Sequence, residues 1–246
     1  MPAKSAQQKG GKGQKAKFID QLKKKNGQKP IENAQKGTHS KTNWWAGAPD
    51  SLLVTLEEDR KWYDDLPNLE SSEGQQHKVS KEALNTIMTV VPKRFEEESR
   101  KFQAQKKKNM DADQKWIADV IKSGTLADKV AALALSVQES PVHQLSSLDI
   151  LVDLALKKEQ QRNSQIALEA LKDLLLHNLL PDNRRLTGFS KQPLGHPEMT
   201  MKTALILWYE SQLQLRVGKI LDALNFGLRS TTSVDFFKKT CLSIAF

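Results

Sequence analysis

One cysteine, Cys241, is all that the 246 residues contain. No disulfide can close within the chain and no thiolate zinc cluster can form. That usage fits a reducing compartment. Long apolar runs are missing too: nothing approaches the ~20 residues of a membrane span. The opening "MPAKSAQQKGGKGQKAK" is polar with no apolar stretch after it, which excludes a secretory signal there. Glycine and proline are scarce, at 12 and 9. No stretch alternates as a strand would. Acid is scarce in one place: residues 1–41 hold eleven lysines against Asp20 and Glu32.

What is present is charge and helical period. The formal net charge is +9, which favours polyanionic partners, nucleic acid first. Residues 1–43 have too few apolar side chains to offset their ordering entropy and are expected to be a disordered lysine-rich tail. Within it, "KFIDQLKKK" (17–25) can form a helical turn or two on a partner. Residues 44–110 are expected to be a linker with peripheral helices. "NWWAGAP" and "RKWYDDLPNLE" place aromatics in a polar stretch, where they dock either on this chain's own core or on a partner. After Ser80 the apolar positions Leu84, Ile87, Met88 and Val91 have helical spacing. Pro92 is expected to interrupt, and a charged helix to resume over Lys93–Lys108 with Phe95 and Phe102 on one face.

Residues 111–246 carry the strongest pattern. Asp113 is expected to cap a helix bearing Trp116, Ile117, Val120 and Ile121, with Gly124 as its C′ residue. Thr125 and Asp128 form a capping box for the next helix, whose buried stripe is Leu126, Val130, Leu133, Ala134 and Val137. In "ESPVH", Ser140 suits an N-cap and Pro141 the first helical position. Val142, Leu145, Leu148, Val152 and Ala155 follow on one face, with Lys157 and Lys158 in the last turn. A fourth helix, capped by Asn163 or Ser164 and stopped at Pro181, buries Ala167, Ala170, Leu171, Leu174, Leu175 and Leu179. A long helix from about Met201 to Gly227 and a last one from Ser233 complete the set. Short amphipathic helices with short links are the mark of stacked helical hairpins. The fold expected is all-α, a HEAT/armadillo-like α-solenoid behind a disordered basic tail. The apolar stripe of the last helix predicts that the 111–246 domain continues past Phe246.

Candidate chemistry is thin. Glu139, Ser140 and His143 sit within five residues, but a nucleophile needs a base, an orienting group and an oxyanion hole. A helix junction explains them better, with His143 in an exposed first turn. The histidines at 39, 77, 143, 177 and 196 are scattered without metal-ligand spacing. "GGKG" at 10–13 lacks the Ser or Thr of a phosphate loop. No cofactor, metal, membrane or small-molecule substrate is expected, and catalysis is not. Three groups are candidate nucleic-acid contacts: Lys23, Lys24 and Lys25; Lys106, Lys107 and Lys108; and the loop pair Arg184 and Arg185. The competing reading for each is a solvated basic surface. The runs 23–25, 92–94 and 106–108 also suit a nuclear-import signal. Trp208 and Tyr209 are read as core.

Taken jointly, "GTL.DK", "QESP.H", "ALKDL" and "LLPD" resemble the CCAAT-binding factor family of nucleolar ribosome-assembly proteins, well over residues 110–246 and loosely over 44–110. The resemblance implies a HEAT-like, non-enzymatic scaffold of the nucleolus. It would bind precursors of the large (60S) ribosomal subunit with their pre-rRNA, paired with the second nucleolar complex protein. The chain departs from the family pattern at Asn183, where a basic residue is expected after the Asp. A DNA-binding transcription regulator and a generic adaptor solenoid are the alternatives.

Overall fold

The computed structural model describes residues 43–229, apart from 48, 56–59, 65, 68–78, 158–160 and 183, together with Lys239. The tail expected at 1–43 therefore lies outside the described residues, save Asn43, as does the helix expected from Ser233, save Lys239. The described residues fall within one compact unit, Lys41–Phe246. They form six α-helices: α1 (Lys81–Lys108), α2 (Ala112–Ser123), α3 (Leu126–Glu139), α4 (Leu145–Ala155), α5 (Gln161–Leu174) and α6 (Met201–Arg229). A π-helical turn, Leu175–Leu179, extends α5, and a 3₁₀ turn, Phe189–Lys191, precedes α6. No strand occurs among the described residues, so the all-α expectation holds.

Neighbours in sequence pack in space: α2 on α3, α3 on α4 and α5, α4 on α5. Two further pairings, α4 with α6 and α1 with α6, join distant parts of the chain. One apolar core runs through all of these, from Val54 and Trp62 to Ile220 and Leu224.

Several boundaries differ from the expectation. α1 does not stop at Pro92 but carries straight through it. The proline removes one helix N–H and crowds the carbonyl four residues back. Tertiary contacts on both sides of it outweigh that cost: Ile87, Val91 and Phe95 are buried, and Arg94 and Glu98 are bound by residues 49–54. Asp111, not Asp113, caps α2, accepting from the Gln114 N–H at 2.8 Å. Gly124 does end α2, as its C-cap, in extended backbone with φ −69° and ψ 170°. Glycine is needed there for space, since a Cβ would stand 2.7 Å from the Val120 carbonyl oxygen. The capping box of α3 is as expected. Thr125 Oγ1 accepts from the Asp128 N–H at 3.3 Å, and the Thr125 N–H donates to Asp128 Oδ2 at 3.2 Å.

Ser140 is the C-cap of α3 rather than the N-cap of α4, which starts at Leu145 after a three-residue turn. α4 then ends at Ala155, short of Lys157. Ser164 lies inside α5, not at its start. Its buried hydroxyl donates to the carbonyls of Lys157 (2.6 Å) and Leu154 (3.3 Å), closing the open end of α4. α6 is buried nearly all round from Met201 to Leu213, as a helix covered on several sides must be.

Candidate partner and nucleic-acid surfaces

The aromatic segments ahead of α1 dock on this chain's own core. Trp62 is fully buried, donates Nε1–H to the Leu179 carbonyl at 2.9 Å and meets Tyr209 edge-on at 5.2 Å. Trp44 donates to the Leu194 carbonyl at 2.9 Å. Between them, the backbone of 49–54 is clamped onto α1. Glu98 Oε1 accepts from the N–H of Leu53 (2.5 Å) and Val54 (2.7 Å), while the Arg94 guanidinium donates to the carbonyls of Pro49 (2.6 Å) and Ser51 (2.9 Å). Lys101 pairs with Asp50 and holds its carboxyl below the usual range.

Arg184 is part of this lock. Its two terminal nitrogens grip Glu210 at 2.6 and 2.9 Å, and its guanidinium carbon stands 5.8 Å from the centre of the Trp62 ring. Glu210 also accepts from the Thr187 N–H at 2.9 Å. A carboxylate with no exposure at all thus has three donors around it. Tyr209 beside it is wholly buried, and that burial pushes its hydroxyl pKa up. Arg185, one residue on, is exposed.

The α3–α4 junction is more enclosed than the sequence suggested. His143 is buried, not exposed, at 4 %. Its ring stacks on Phe102 at 4.3 Å with 7° between planes, and Nδ1 is 2.7 Å from the Ser140 hydroxyl. Burial pulls its pKa down to about 4, so the imidazole is neutral at pH 7. Glu139, the third member of the apparent cluster, is held by Lys106 from the last turn of α1. Its carboxylate therefore braces two helices and does not orient His143. An open cleft of about 830 Å³ lies alongside, bounded by Trp62, Phe102, Lys106, Ser140 and His143. Among the described residues, no group of three or more His, Cys, Asp or Glu side chains is placed to hold a metal ion.

The candidate cations are thus divided. Lys107 and Lys108 are exposed at the end of α1, whereas Lys106 is spent on Glu139. Arg184 is spent on Glu210 and Arg185 is exposed. Lys23, Lys24 and Lys25 lie outside the described residues. Sequence reasoning missed Glu98 and Glu210. A signal for Glu210 existed: it is the one acid in the apolar run "ALILWYESQLQL".

Over 173 residues, 67 % of the chain, the sequence is 33 % identical to CCAAT/enhancer-binding protein zeta of Homo sapiens. The chain is a homologue of that protein. It is also 34 % identical over 151 residues, 54 % of the chain, to the Chaetomium thermophilum protein named Ribosome biogenesis protein NOC1, and 31 % identical over 175 residues, 67 % of the chain, to Protein SLOW WALKER 2 of Arabidopsis thaliana. The chain spans about 16 % of the human relative's length, 14 % of the fungal one and 16 % of the plant one. No family model matches it. The family resemblance carried by the quoted motifs is therefore shown, over two thirds of this chain.

Proposed function

We propose that the chain is a non-enzymatic scaffold of 60S ribosomal subunit biogenesis in the nucleolus. It binds pre-ribosomal particles through a helical-repeat body and a lysine-rich leader. One observation carries the proposal: the 34 % identity to a protein named for ribosome biogenesis. The sequential packing of α2 to α5 supports a HEAT/armadillo-like body, whose grooves take a protein partner such as the second nucleolar complex protein. The α1–α6 contact is an addition to such a stack, tying distant helices together. The net charge of +9 supports contact with pre-rRNA phosphates through Lys23–Lys25, Lys107, Lys108 and Arg185. The Ser140–His143 pair gives no support to catalysis, because among the described residues no carboxylate orients the imidazole. Depleting the protein from cells should lower 60S precursors; an unchanged rRNA-processing profile would refute the proposal.

The name of the human relative favours a second reading, a DNA-binding transcription regulator. Competition between duplexes of different sequence separates the two. Equal binding to all of them removes the second.

A further inference from the structure

A second open cleft, of about 780 Å³, separates the C-terminal half of α1 from α2 and the first turn of α4. Its rim carries the exposed cations Arg100, Lys107 and Lys122, together with Lys106, whose charge Glu139 balances, and no carboxylate is among its described lining residues. Its apolar wall comes from Met110, Ile117, Ala118 and Ile121, each only partly buried. α2 buries no side chain fully, although its residues repeat with helical period. Two polar atoms among the lining residues, His143 Nε2 and Gln114 Oε1, are buried without a hydrogen-bond partner. Ser146 and Ser147 bring the N-terminal turn of α4 to the same cleft, and Gln144 makes no side-chain cap there. That turn adds partial positive charge.

An apolar wall under a rim that is cationic at Arg100, Lys107 and Lys122 has a complement: an amphipathic helix with leucine-like residues on one face and Asp or Glu flanking them. RNA would use the cations but would leave Ile117 and Ile121 in contact with phosphate or ribose. We propose that the α1–α2 cleft is a docking groove for an acidic amphipathic helix of a partner protein. The α2 wall of the groove runs from Gln114 to Lys122, about 12 Å of helix, which takes roughly two turns of such a helix. This inference deepens the scaffold reading and rests on it for the existence of a protein partner.

The test uses the full chain and a fluorescein-labelled 18-residue peptide with leucine on one helical face and glutamate elsewhere. Fluorescence anisotropy should show binding. The double variant Lys107→Glu/Lys122→Glu should weaken it about tenfold or more, since two rim attractions become repulsions. Ile117→Ser should weaken it independently of salt. Lys107 and Lys122 are exposed and Ile117 is partly buried, and circular dichroism checks that each variant folds. The inference is overturned if the peptide does not bind, if the variants bind it like the parent, or if a 20-nucleotide RNA alone occupies the cleft and is lost on charge reversal. Co-sedimentation of the parent chain with pre-60S particles is read separately. Retained sedimentation without peptide binding sinks the groove alone, and lost sedimentation sinks the scaffold reading.

Discussion

α2 and α6 both read from sequence as amphipathic helices with a tryptophan on the apolar side. α2 leaves Trp116 62 % exposed and buries nothing completely, whereas α6 buries Tyr209, Glu210 and most of its first half. The difference comes from cover. α6 is packed by α1, α4 and the 3₁₀ turn, and Trp62 reaches it from ahead of α1. α2 packs chiefly on α3. Period fixes which face of a helix is apolar, but the number of elements folding back on it decides how much water leaves.

The contrast is sharpest at Trp62. Trp62→Ala should cost about 4 kcal/mol, from the volume lost beneath Tyr209 and the hydrogen bond to Leu179 left unmade. Urea unfolding followed by far-UV circular dichroism measures it. A loss under 1 kcal/mol would mean that the segment ahead of α1 is an accessory to the core and not a part of it.

The next effect lies at the α3–α4 junction, between the two helices compared. His143 has a folded pKa of about 4 against an ordinary value near 6.5. Between those values the unfolded chain binds the proton and the folded chain does not, so stability must rise with pH. His143's contribution is intact above pH 6.5 and falls away as the pH drops toward 4, by an amount of order 3 kcal/mol. The melting temperature of the parent should therefore fall more steeply over that window than that of His143→Gln. Parallel slopes would show the ring to be solvated.

Arg184→Met probes the α6 lock from its exposed side. The variant keeps length but leaves Glu210 with the Thr187 N–H alone. The Arg184 side chain is 38 % exposed, so the cost should be roughly 2 kcal/mol, below that of a fully buried pair. Restoring most of the loss with the double variant Arg184→Met/Glu210→Leu would identify the stranded carboxylate as its source. No recovery would place the role of Arg184 in its packing on Trp62.

Local chemistry was legible wherever neighbours in sequence act on each other. The Thr125–Asp128 capping box, the α5 face from Ala167 to Leu174 and the long helix from Met201 all follow from spacing. Long-range partners were not. Pro92 reads as a break because sequence does not show Arg94 and Glu98 clamped by residues 49–54. Ser164 reads as a cap for its own helix, while its hydroxyl serves α4. His143 reads as exposed because nothing nearby announces Phe102, which lies 41 positions earlier, as its stacking partner. The candidate cations show the same limit. Lys106 and Arg184 look as available as Lys107 and Arg185 until Glu139 and Glu210 are seen beside them.

The smallest effect is expected at Trp116, and it tests the comparison from the other side. With nearly two thirds of the residue in water, Trp116→Ala should change stability by no more than about 0.5 kcal/mol. The better helix propensity of alanine offsets what contact is lost. The urea midpoint of the full chain reads this directly. A loss of 2 kcal/mol or more would mean that the indole is covered in solution, for example by another copy of the chain. Dependence of the midpoint on protein concentration would then reveal that association. If the midpoint does not move, the Trp116 indole contributes little to folding, and its exposed surface is free for a partner.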